Sequence, residues 1–473
     1  MFERIIQGWQ QLSMELSSNS RLWSAAPGRS VRDGHKRQIK LRQQLQAKQT
    51  ADFYYLIDVV GTCNLRCPSC PVGNYPEQPP KGLMSLENYR AILEKIAADH
   101  PGEKIFVDLY NWGEPGLHKR LGELIKLTKE LGFGVGISSN MNVFPDLKAV
   151  IQERPSYLRI SLSGYFNETY QRTHRAGDIN LVKSNMHMLR HWLDKTGSDT
   201  IVQVGFHVYR SNFPEDFRKM RDLCKDLDFI FAPTVAALMP VEKAVMAVDG
   251  VALSEDRQIL DNLVVPMAEW ISLVSRMRSQ HLDCQYRQKR TTINFDGSVP
   301  LCCATFEKNQ IIASNFLDVS RKEITARKYS HEFCGTCQNR FLDMVYTGVG
   351  SQYVEKRAAS VLGAEYQAFL DEWNVSIEPT VAFEGRELTI PQAFRLAMKR
   401  LKAGKEDIAF ALLKDMVREA PRHGEAHYQM GRLLLAKGHR GEARASFRAA
   451  YEIWPHHKPY ADAFKDIEGD KAP

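Results

Sequence analysis

The stretch that decides the fold covers residues 61–70 and reads GTCNLRCPSC. It contains Cys63, Cys67 and Cys70, with three and two residues between them, and it follows an apolar run at residues 53–60 that predicts a β-strand. Thiolates are the usual ligands of a four-iron cluster, which offers four ligand positions. Three cysteines on one loop can therefore wrap a single cluster and leave one iron open to chelate a small molecule.

Strand-like and helical segments alternate on both sides of this loop. Predicted strands cover residues 53–60, 105–110, 134–138, 157–162, 201–209 and 229–232. Predicted helices cover residues 85–99, 118–131, 181–193 and 214–227. Strands that alternate with helices of this length predict a parallel sheet, whose ligands bind at the carboxyl ends of the strands. We therefore expect an α/β fold with a partial (β/α)6 barrel.

The chain of 473 residues is too long for one small core, and its length predicts about three domains. Its 44% hydrophobic and 25% charged residues are typical of a soluble globular protein. No apolar run approaches the ~20 residues that span a bilayer, and the first residues lack a signal-peptide pattern, so we expect no membrane contact and a cytoplasmic location. The net charge of +7 is mild, and we interpret the basic residues between Arg29 and Arg42 as a solvated helix face, not a nucleic-acid site.

Shifts in composition along the chain predict five regions. They are an N-terminal helical extension at residues 1–50, the α/β core at 51–238, a connector and cysteine-bearing domain at 239–345, a helical linker at 346–388, and C-terminal all-α helical repeats at 389–473. Short strand-like pieces predict a small α+β fold for the cysteine-bearing domain. A single helix is predicted near residues 354–373 of the linker.

The C-terminal region repeats itself with a period of 34 residues. Ala409, Leu413 and Pro421 recur as Ala443, Phe447 and Pro455. Small residues at Gly431 and Ala443 predict that paired helices approach closely. The pattern resembles the tetratricopeptide repeat, which implies helix–turn–helix units. Such repeats bind a protein partner or pack against their own domain, and the sequence leaves both roles open.

Further motifs lie at the ends of the predicted strands. Trp112-Gly113-Glu114-Pro115 follows the second strand, Ser138-Ser139-Asn140 ends the third, Ser161-Leu162-Ser163-Gly164 ends the fourth, and Arg175 follows in the next loop. In this order, and together with the three-cysteine loop, they resemble the radical S-adenosylmethionine (SAM) superfamily over residues 53–235. The sequence departs from the family pattern at three positions. The family has glycine at the position of Trp112 and aspartate at that of Ser163, and many members have an aromatic residue at that of Pro68.

The resemblance implies a role for each of these residues. Cys63, Cys67 and Cys70 would hold a [4Fe-4S] cluster whose open iron binds exchangeable SAM. The residues implied to bind SAM are Trp112, Gly113, Glu114 and Pro115 at its amino group, Ser138 and Asn140 nearby, Ser161 at its ribose, and Arg175 at its carboxylate. An arginine suits the last task because its planar fork binds a carboxylate through two hydrogen bonds. For the three cysteines alone, the alternative is a zinc site that lacks its fourth ligand.

A second group of cysteines follows the core and comprises Cys284, Cys302, Cys303, Cys334 and Cys337. Asp296-Gly297 predicts a hairpin between residues 291–295 and 298–301 that brings Cys284 near Cys302. This layout resembles the SPASM/twitch extension of radical SAM enzymes, in its shorter twitch form. It implies one auxiliary [4Fe-4S] cluster on Cys284, Cys302, Cys334 and Cys337, with structural zinc as the alternative. The adjacent Cys303 is either a buried thiol or a hydrogen-atom donor in the reaction.

The resemblance also implies an activity. SAM would be cleaved reductively to a 5′-deoxyadenosyl radical, which abstracts a substrate hydrogen, with electrons from a flavodoxin- or ferredoxin-type donor. A single auxiliary cluster favours dehydrogenase-type oxidation, or epimerisation, of a small polar, sugar-like metabolite. The second hypothesis is a peptide- or protein-modifying enzyme whose repeats dock the substrate, and the third is a non-catalytic repeat scaffold with degenerate metal sites. His207, Tyr209 and Arg287 are candidates for the substrate pocket.

Overall fold

The structure is a computed structural model that describes residues 31–75, 81–278, 283–374, 380–421, 423–455 and 457–469. The predicted N-terminal extension lies largely outside the described residues, which begin with the helix Val31–Gln49. Within these described ranges, no helix is both long enough and apolar enough to cross a bilayer.

Seven parallel strands form the central sheet. They are β1 Phe53–Ile57, β2 Ile105–Asp108, β3 Gly134–Ser139, β4 Tyr157–Leu162, β5 Ile201–Val208, β6 Ile230–Val235 and β7 Arg290–Ile293. Their order across the sheet is β6-β5-β4-β3-β2-β1-β7, and each neighbouring pair is parallel. The predicted α/β fold is confirmed, with β1 to β6 adjacent in chain order as consecutive strand–helix units tend to be.

The hairpin predicted at Asp296-Gly297 is wrong, because the strand before the turn, β7, belongs to the central sheet. The turn is present, with Gly297 at a φ of +85°, but the two flanking strands do not pair with each other. β7 joins β1 in the central sheet, while β8 Val299–Pro300 pairs antiparallel with β9 Ile311–Ala313. Three of the four residues of β7 are buried, which suits a strand inside a large sheet better than one in a small exposed hairpin.

The helices that follow β1 to β5 connect neighbouring strands of the sheet. They are Pro71–Asn74, Leu86–Asp99, Leu121–Glu130, Leu147–Gln152, Asn167–Thr173, Ile179–Thr196 and Glu215–Asp226. Ser85 caps the helix Leu86–Asp99 as predicted, because its side chain accepts a hydrogen bond from the Asn88 backbone N–H at 3.1 Å.

The two faces of the sheet differ in polarity because successive side chains of a strand point to opposite faces. One face packs against the helices through buried apolar side chains such as Val107, Ile137 and Ile160. The opposite face, which we call the inner face, carries polar residues at alternating positions. They are Asp108 in β2, Ser138 in β3, Arg159 and Ser161 in β4, and Gln203 and His207 in β5. The inner face is therefore the part of the sheet suited to holding a polar ligand.

The cysteine-bearing region and the linker are mostly helical. Their helices are Val241–Val248, Arg257–Asn262, Met267–Ser275, Gln285–Lys289, Arg321–Ser330, Glu332–Asn339, Leu342–Thr347, Ser351–Leu362 and Ala364–Asn374. The single helix predicted near residues 354–373 is wrong. Two helices meet there at Gly363, whose φ of +92° lies outside the helical range.

Five helices follow a short hairpin of β10 Thr380–Phe383 and β11 Arg386–Thr389. These C-terminal helices are Ile390–Lys402, Glu406–Glu419, Gly424–Ala436, Arg440–Ile453 and Lys458–Gly469. Gly431 permits the expected close approach, since a Cβ there would lie 2.6 Å from the ring of Phe447. The helical character of this region is confirmed, whereas its membership of the tetratricopeptide family stays a prediction.

Candidate active site

The three-cysteine loop follows β1, at the carboxyl end of the sheet. The Cys70 backbone N–H donates to Cys67 O at 3.1 Å and folds the second half of the loop into a turn. Gly73 lies against this turn, where a Cβ would be 2.3 Å from Cys67 O. Burial raises the pKa of Cys67, and the neighbouring thiols of Cys70 and Cys63 raise it further. The three thiols therefore lie close enough to interact electrostatically.

These thiols fit an iron–sulfur cluster. Burial raises the pKa of Cys63 to about 11 and that of Cys70 to about 12, so the thiolates need a cationic group, and a bound metal deprotonates its thiol ligands. Cys63 Sγ accepts hydrogen bonds from the Leu65 backbone N–H at 3.4 Å and from Asn140 Nδ2 at 3.6 Å. Within the described part of the chain, no three Cys, His, Asp or Glu side chains converge on a single ion. A four-iron cluster does not need such convergence, because each thiolate binds a different iron.

Asp58 fixes the turn that carries Trp112 and Gly113. Its carboxylate accepts hydrogen bonds from the Trp112 backbone N–H at 3.0 Å and the Gly113 backbone N–H at 3.2 Å. Only glycine fits at position 113, since a Cβ there would lie 1.6 Å from Val60 O. Trp112 Nε1 donates to Thr305 O at 3.2 Å. The tryptophan that departs from the family pattern thus connects this turn to the second cysteine region, and the two border a cavity of about 870 Å³.

Glu114 joins the ends of β2 and β3. Its Oε1 accepts hydrogen bonds from the Gly116 backbone N–H at 2.9 Å and Ser139 Oγ at 2.7 Å, and its Oε2 accepts one from the Asn140 backbone N–H at 2.8 Å. Burial raises the pKa of Glu114 to about 7, an effect that these donors oppose. Asn140 Nδ2 donates in turn to Asn64 Oδ1 at 2.9 Å. Glu114 therefore positions Asn140 against the cysteine loop.

The remaining residues predicted for the first site lie at the same edge of the sheet. Pro115 begins a short 3-10 turn directly after Glu114. Ser138 and Ser161 are half-buried on the inner face, near the ends of β3 and β4. Arg175 O accepts a hydrogen bond from the Arg66 backbone N–H at 2.9 Å, which places this segment against the cysteine loop with its side chain exposed. The roles of these residues toward SAM stay predictions.

Deeper on the inner face lies a polar network that the sequence did not indicate. Tyr157 Oη donates to Asp108 Oδ1 at 2.5 Å, and Tyr110 Oη lies 3.0 Å from Tyr157 Oη. Burial raises the pKa of Asp108, and the bond from Tyr157 opposes that rise. The only sequence signal for this network is an acidic residue in an otherwise apolar strand. These side chains line a cavity of about 1030 Å³.

The three pocket candidates have different surroundings. His207 lies on the inner face of β5, where burial and the charge of Arg159 together lower its pKa to about 4. Tyr209 is buried just beyond the same strand. Arg287 is instead paired with Asp283 beside the second cysteine group, so it is not a residue of the inner face.

The second cysteine group also lies close together. Cys284 precedes the helix Gln285–Lys289, and Cys334 and Cys337 lie in the helix Glu332–Asn339. Burial raises the pKa of Cys302, and the thiols of Cys303, Cys284 and Cys337 contribute to the rise. Burial likewise raises the pKa of Cys337, with contributions from Cys284 and Cys334. The four predicted ligands are therefore neighbours.

Two basic side chains lie beside this group. Arg290 Nη1 donates to Cys303 Sγ at 3.7 Å, so the half-buried Cys303 thiol faces a guanidinium. Lys328 is only 2% exposed, and its Nζ donates to Thr291 Oγ1 at 3.2 Å and to Arg290 O. Burial lowers the pKa of Lys328 to about 8, an effect that Cys302 and Cys303 oppose. A buried cation next to several cysteines compensates the negative charge of thiolates, and sequence patterns did not reveal it.

The C-terminal helices form one wall of the 1030 Å³ cavity. His423, Glu425 and Trp454 line it from these helices, together with the inner-face network. Gln288 Nε2, from the cysteine-bearing region, donates to Ile453 O at 2.6 Å. The C-terminal helices thus pack against their own chain, which is one of the two roles that the repeat pattern left open.

Residues 57–219 match the family model described as the Radical SAM superfamily. The matched segment, about a third of the chain, is therefore a radical SAM domain. Over 93 residues the chain is 28% identical to the tungsten-containing aldehyde ferredoxin oxidoreductase cofactor-modifying protein of Pyrococcus furiosus. This match covers 20% of the chain, and it spans only 25% of the length of that curated relative.

Several solved structures are similar to the chain at low identity. SuiB of Streptococcus suis, bound to the precursor peptide SuiA, gives a TM-score of 0.41 at 12% identity over 70% of this chain and 79% of that one. The protein anSMEcpe, with bound AdoMet and Kp18Cys peptide, gives 0.42 at 15% identity over 68% and 98%. BtrN, in complex with AdoMet and 2-DOIA, gives 0.34 at 14% identity over 59% and 84%.

Proposed function

We propose that the chain is a radical SAM oxidoreductase that cleaves SAM reductively and then oxidises or epimerises a small polar, sugar-like metabolite. One observation carries this proposal. The half-buried three-thiol loop is hydrogen-bonded to the turns after β2 and β3, at the edge of the sheet from which a polar inner face begins. This arrangement supports a redox group bound beside a polar substrate surface.

In this proposal Cys63, Cys67 and Cys70 hold a [4Fe-4S] cluster. Such a group would supply the one-electron reduction that cleaves SAM to methionine and a 5′-deoxyadenosyl radical, which would take a hydrogen atom from the substrate. The residues of the chain bind and orient the two reactants. The turn at residues 112–115, held by Asp58, binds the amino group of SAM, while Arg175 pairs with its carboxylate.

Cys284, Cys302, Cys334 and Cys337 hold an auxiliary [4Fe-4S] cluster in this proposal. Such a group would supply a one-electron acceptor, which a net two-electron oxidation of the substrate requires after loss of one hydrogen atom. The buried Lys328 suits a cluster of thiolates because its cation lies beside them. Zinc at this site would supply no acceptor and would leave only redox-neutral outcomes.

Metal analysis tests both sites together. After anaerobic reconstitution, we expect about eight irons in the parent and about four in Cys63/67/70→Ala and in Cys334/337→Ala, as for two four-iron clusters. Cys224→Ala is the matched control, since this buried thiol packs in the apolar core of the sheet. Zinc in the parent, retained in Cys63/67/70→Ala and lost in Cys334/337→Ala, would contradict the dehydrogenase-type oxidation.

Reductive cleavage of SAM tests the first half of the reaction. With dithionite as reductant, the reconstituted parent should form 5′-deoxyadenosine, and Cys67→Ala should not. If the parent binds its full complement of iron and forms no 5′-deoxyadenosine, the enzymatic proposal fails and the scaffold hypothesis replaces it.

The peptide-modifying hypothesis remains the second candidate because the C-terminal helices line part of a cavity of about 1030 Å³. A space of this size accommodates a peptide segment as well as a metabolite. The two candidates separate when an extract is divided into metabolite and peptide fractions. The fraction that stimulates 5′-deoxyadenosine formation by the parent, and not by Cys67→Ala, identifies the substrate class.

A further inference from the structure

Arg159 lies on the inner face and points toward the carboxyl end of the sheet. In the register of β4 with β5, Arg159 is beside Gln203, and Ser161 is beside Gly205. A Cβ on Gly205 would lie 2.4 Å from Arg159 Nε and 2.6 Å from Arg159 Nη2. The guanidinium therefore covers Gly205, one residue pair nearer to the cysteine loop than the backbone of Arg159.

The arginine explains the glycine. Gly205 lies in the middle of β5 and does not have a positive φ, so its backbone conformation does not require glycine. Glycine weakens a strand, and it is often found where another group approaches the backbone closely. Here that group is the guanidinium of Arg159, which any side chain at position 205 would displace.

The guanidinium has no protein partner within the described ranges of the chain, where it makes neither a hydrogen bond nor an ion pair. It carries five N–H donors in a fixed planar fork. The charge of Arg159 lowers the pKa of Asp108, but the Asp108 carboxylate already accepts a hydrogen bond from the hydroxyl of Tyr157. A half-buried guanidinium with unused donors is a site that a ligand can complete.

The charge around Arg159 favours an anion. The charges of Asp108, Arg159 and Arg290 all affect the pKa of Tyr110. Two guanidinium groups therefore share this part of the inner face with one carboxylate. His207, the nearest titratable group on β5, is held neutral by burial. Guanidinium binds carboxylate and phosphate through paired hydrogen bonds that match its fork.

We propose that Arg159 anchors an oxyanion of the substrate, either a carboxylate or a phosphate. The inference rests on the proposed function, because it names the chemical class of the substrate that the inner face holds. An anionic group over Gly205 lies next to Ser161, so the rest of the molecule extends toward the carboxyl end of the sheet. Arg159 is thus a binding residue that sets the orientation of the substrate.

Calorimetry with simple anions tests this proposal on the reconstituted full chain, with SAM present and no reductant. Inorganic phosphate and succinate are titrated separately at constant ionic strength. We expect saturable binding of one equivalent by the parent and at least tenfold weaker binding by Arg159→Gln. Arg159→Lys should fall between them, since lysine keeps the charge and loses the fork. Arg120→Gln is the control, because Arg120 is exposed and pairs only with Glu123 among its described neighbours.

A second variant tests the geometry without removing the charge. Gly205→Ala should weaken anion binding at least tenfold because the added methyl group displaces the guanidinium. Tighter binding of phosphate than of succinate indicates a phosphorylated substrate, and the reverse order indicates a carboxylated one. Equal affinity in the parent and Arg159→Gln, or no binding by the parent, would overturn the proposal.

The experiments distinguish failure of the anion site from failure of the proposed reaction. If the parent cleaves SAM but binds neither anion, the inference about Arg159 is wrong and the enzymatic function stands. If the parent binds an anion through Arg159 but never cleaves SAM, the anion site stands and the proposed function fails.

Discussion

Replacement of Gly113 by alanine should weaken SAM binding about 100-fold while the fold stays intact. The added Cβ would lie 1.6 Å from Val60 O and 3.0 Å from Asp58 Oδ1, so the turn must move by roughly 2 Å to reach ordinary van der Waals contact. That movement breaks the hydrogen bonds from the Trp112 and Gly113 backbone N–H groups to Asp58. Hydrogen bonds to a charged group contribute about 1.5–3 kcal/mol each. A loss of ~3 kcal/mol corresponds to about 100-fold weaker binding of SAM.

The assay is equilibrium binding of SAM to the reconstituted parent and variant at matched iron content. Gly441→Ala is the control, because a Cβ at this position of the C-terminal helices meets no atom within 4 Å. Its affinity for SAM should equal that of the parent. Binding of SAM by Gly113→Ala within threefold of the parent, with the parent binding normally, would refute the reasoning about this turn.

Three further predictions address the cluster, the buried histidine and the C-terminal helices. Asn140→Ala removes the donor that lies 3.6 Å from Cys63 Sγ and should lower the reduction potential of the first cluster; an unchanged midpoint in a redox titration followed by electron paramagnetic resonance would contradict this. Burial lowers the pKa of His174 from 6.5 to about 3, so stability that is complete above pH 6.5 should be lost as the pH falls toward 3. Thermal unfolding across that range measures this loss of stability, and the dependence of stability on pH should be weaker in His174→Asn. Gly431→Ala pushes a methyl group into the ring of Phe447 and should destabilise the C-terminal helices by ~1–3 kcal/mol; limited proteolysis should then cut them earlier than in the parent.

Local patterns in the sequence predicted most of the central sheet. The strand predicted at residues 157–162 coincides with β4, and Ser85 caps its helix as the sequence indicates. Both depend on neighbouring residues in the chain. The pairing of β7 with β1 depends instead on residues more than 200 positions apart, and periodicity within a strand contains no information about its partner.

Some residues of the candidate site were likewise indicated by local sequence patterns, and others were not. The two cysteine groups stand out in the sequence because eight of the nine cysteines are grouped along the chain. Arg159 was not recognised, because its importance depends on lying over Gly205 of the next strand. Lys328 was also missed, since nothing in its own helix indicates that it is buried beside the second cysteine group.

The pairing of β1 with β7 has a consequence for how the substrate range of such a protein can evolve. The first cysteine loop leaves the carboxyl end of β1, whereas Cys303 contacts Arg290, the first residue of β7 and the register partner of Tyr54. The two groups are therefore offset along the sheet, one beyond the carboxyl end of β1 and the other beside the amino end of β7. Backbone hydrogen bonds define this spacing, so substitutions on the inner face can change which molecule is accepted without altering the distance an electron would travel.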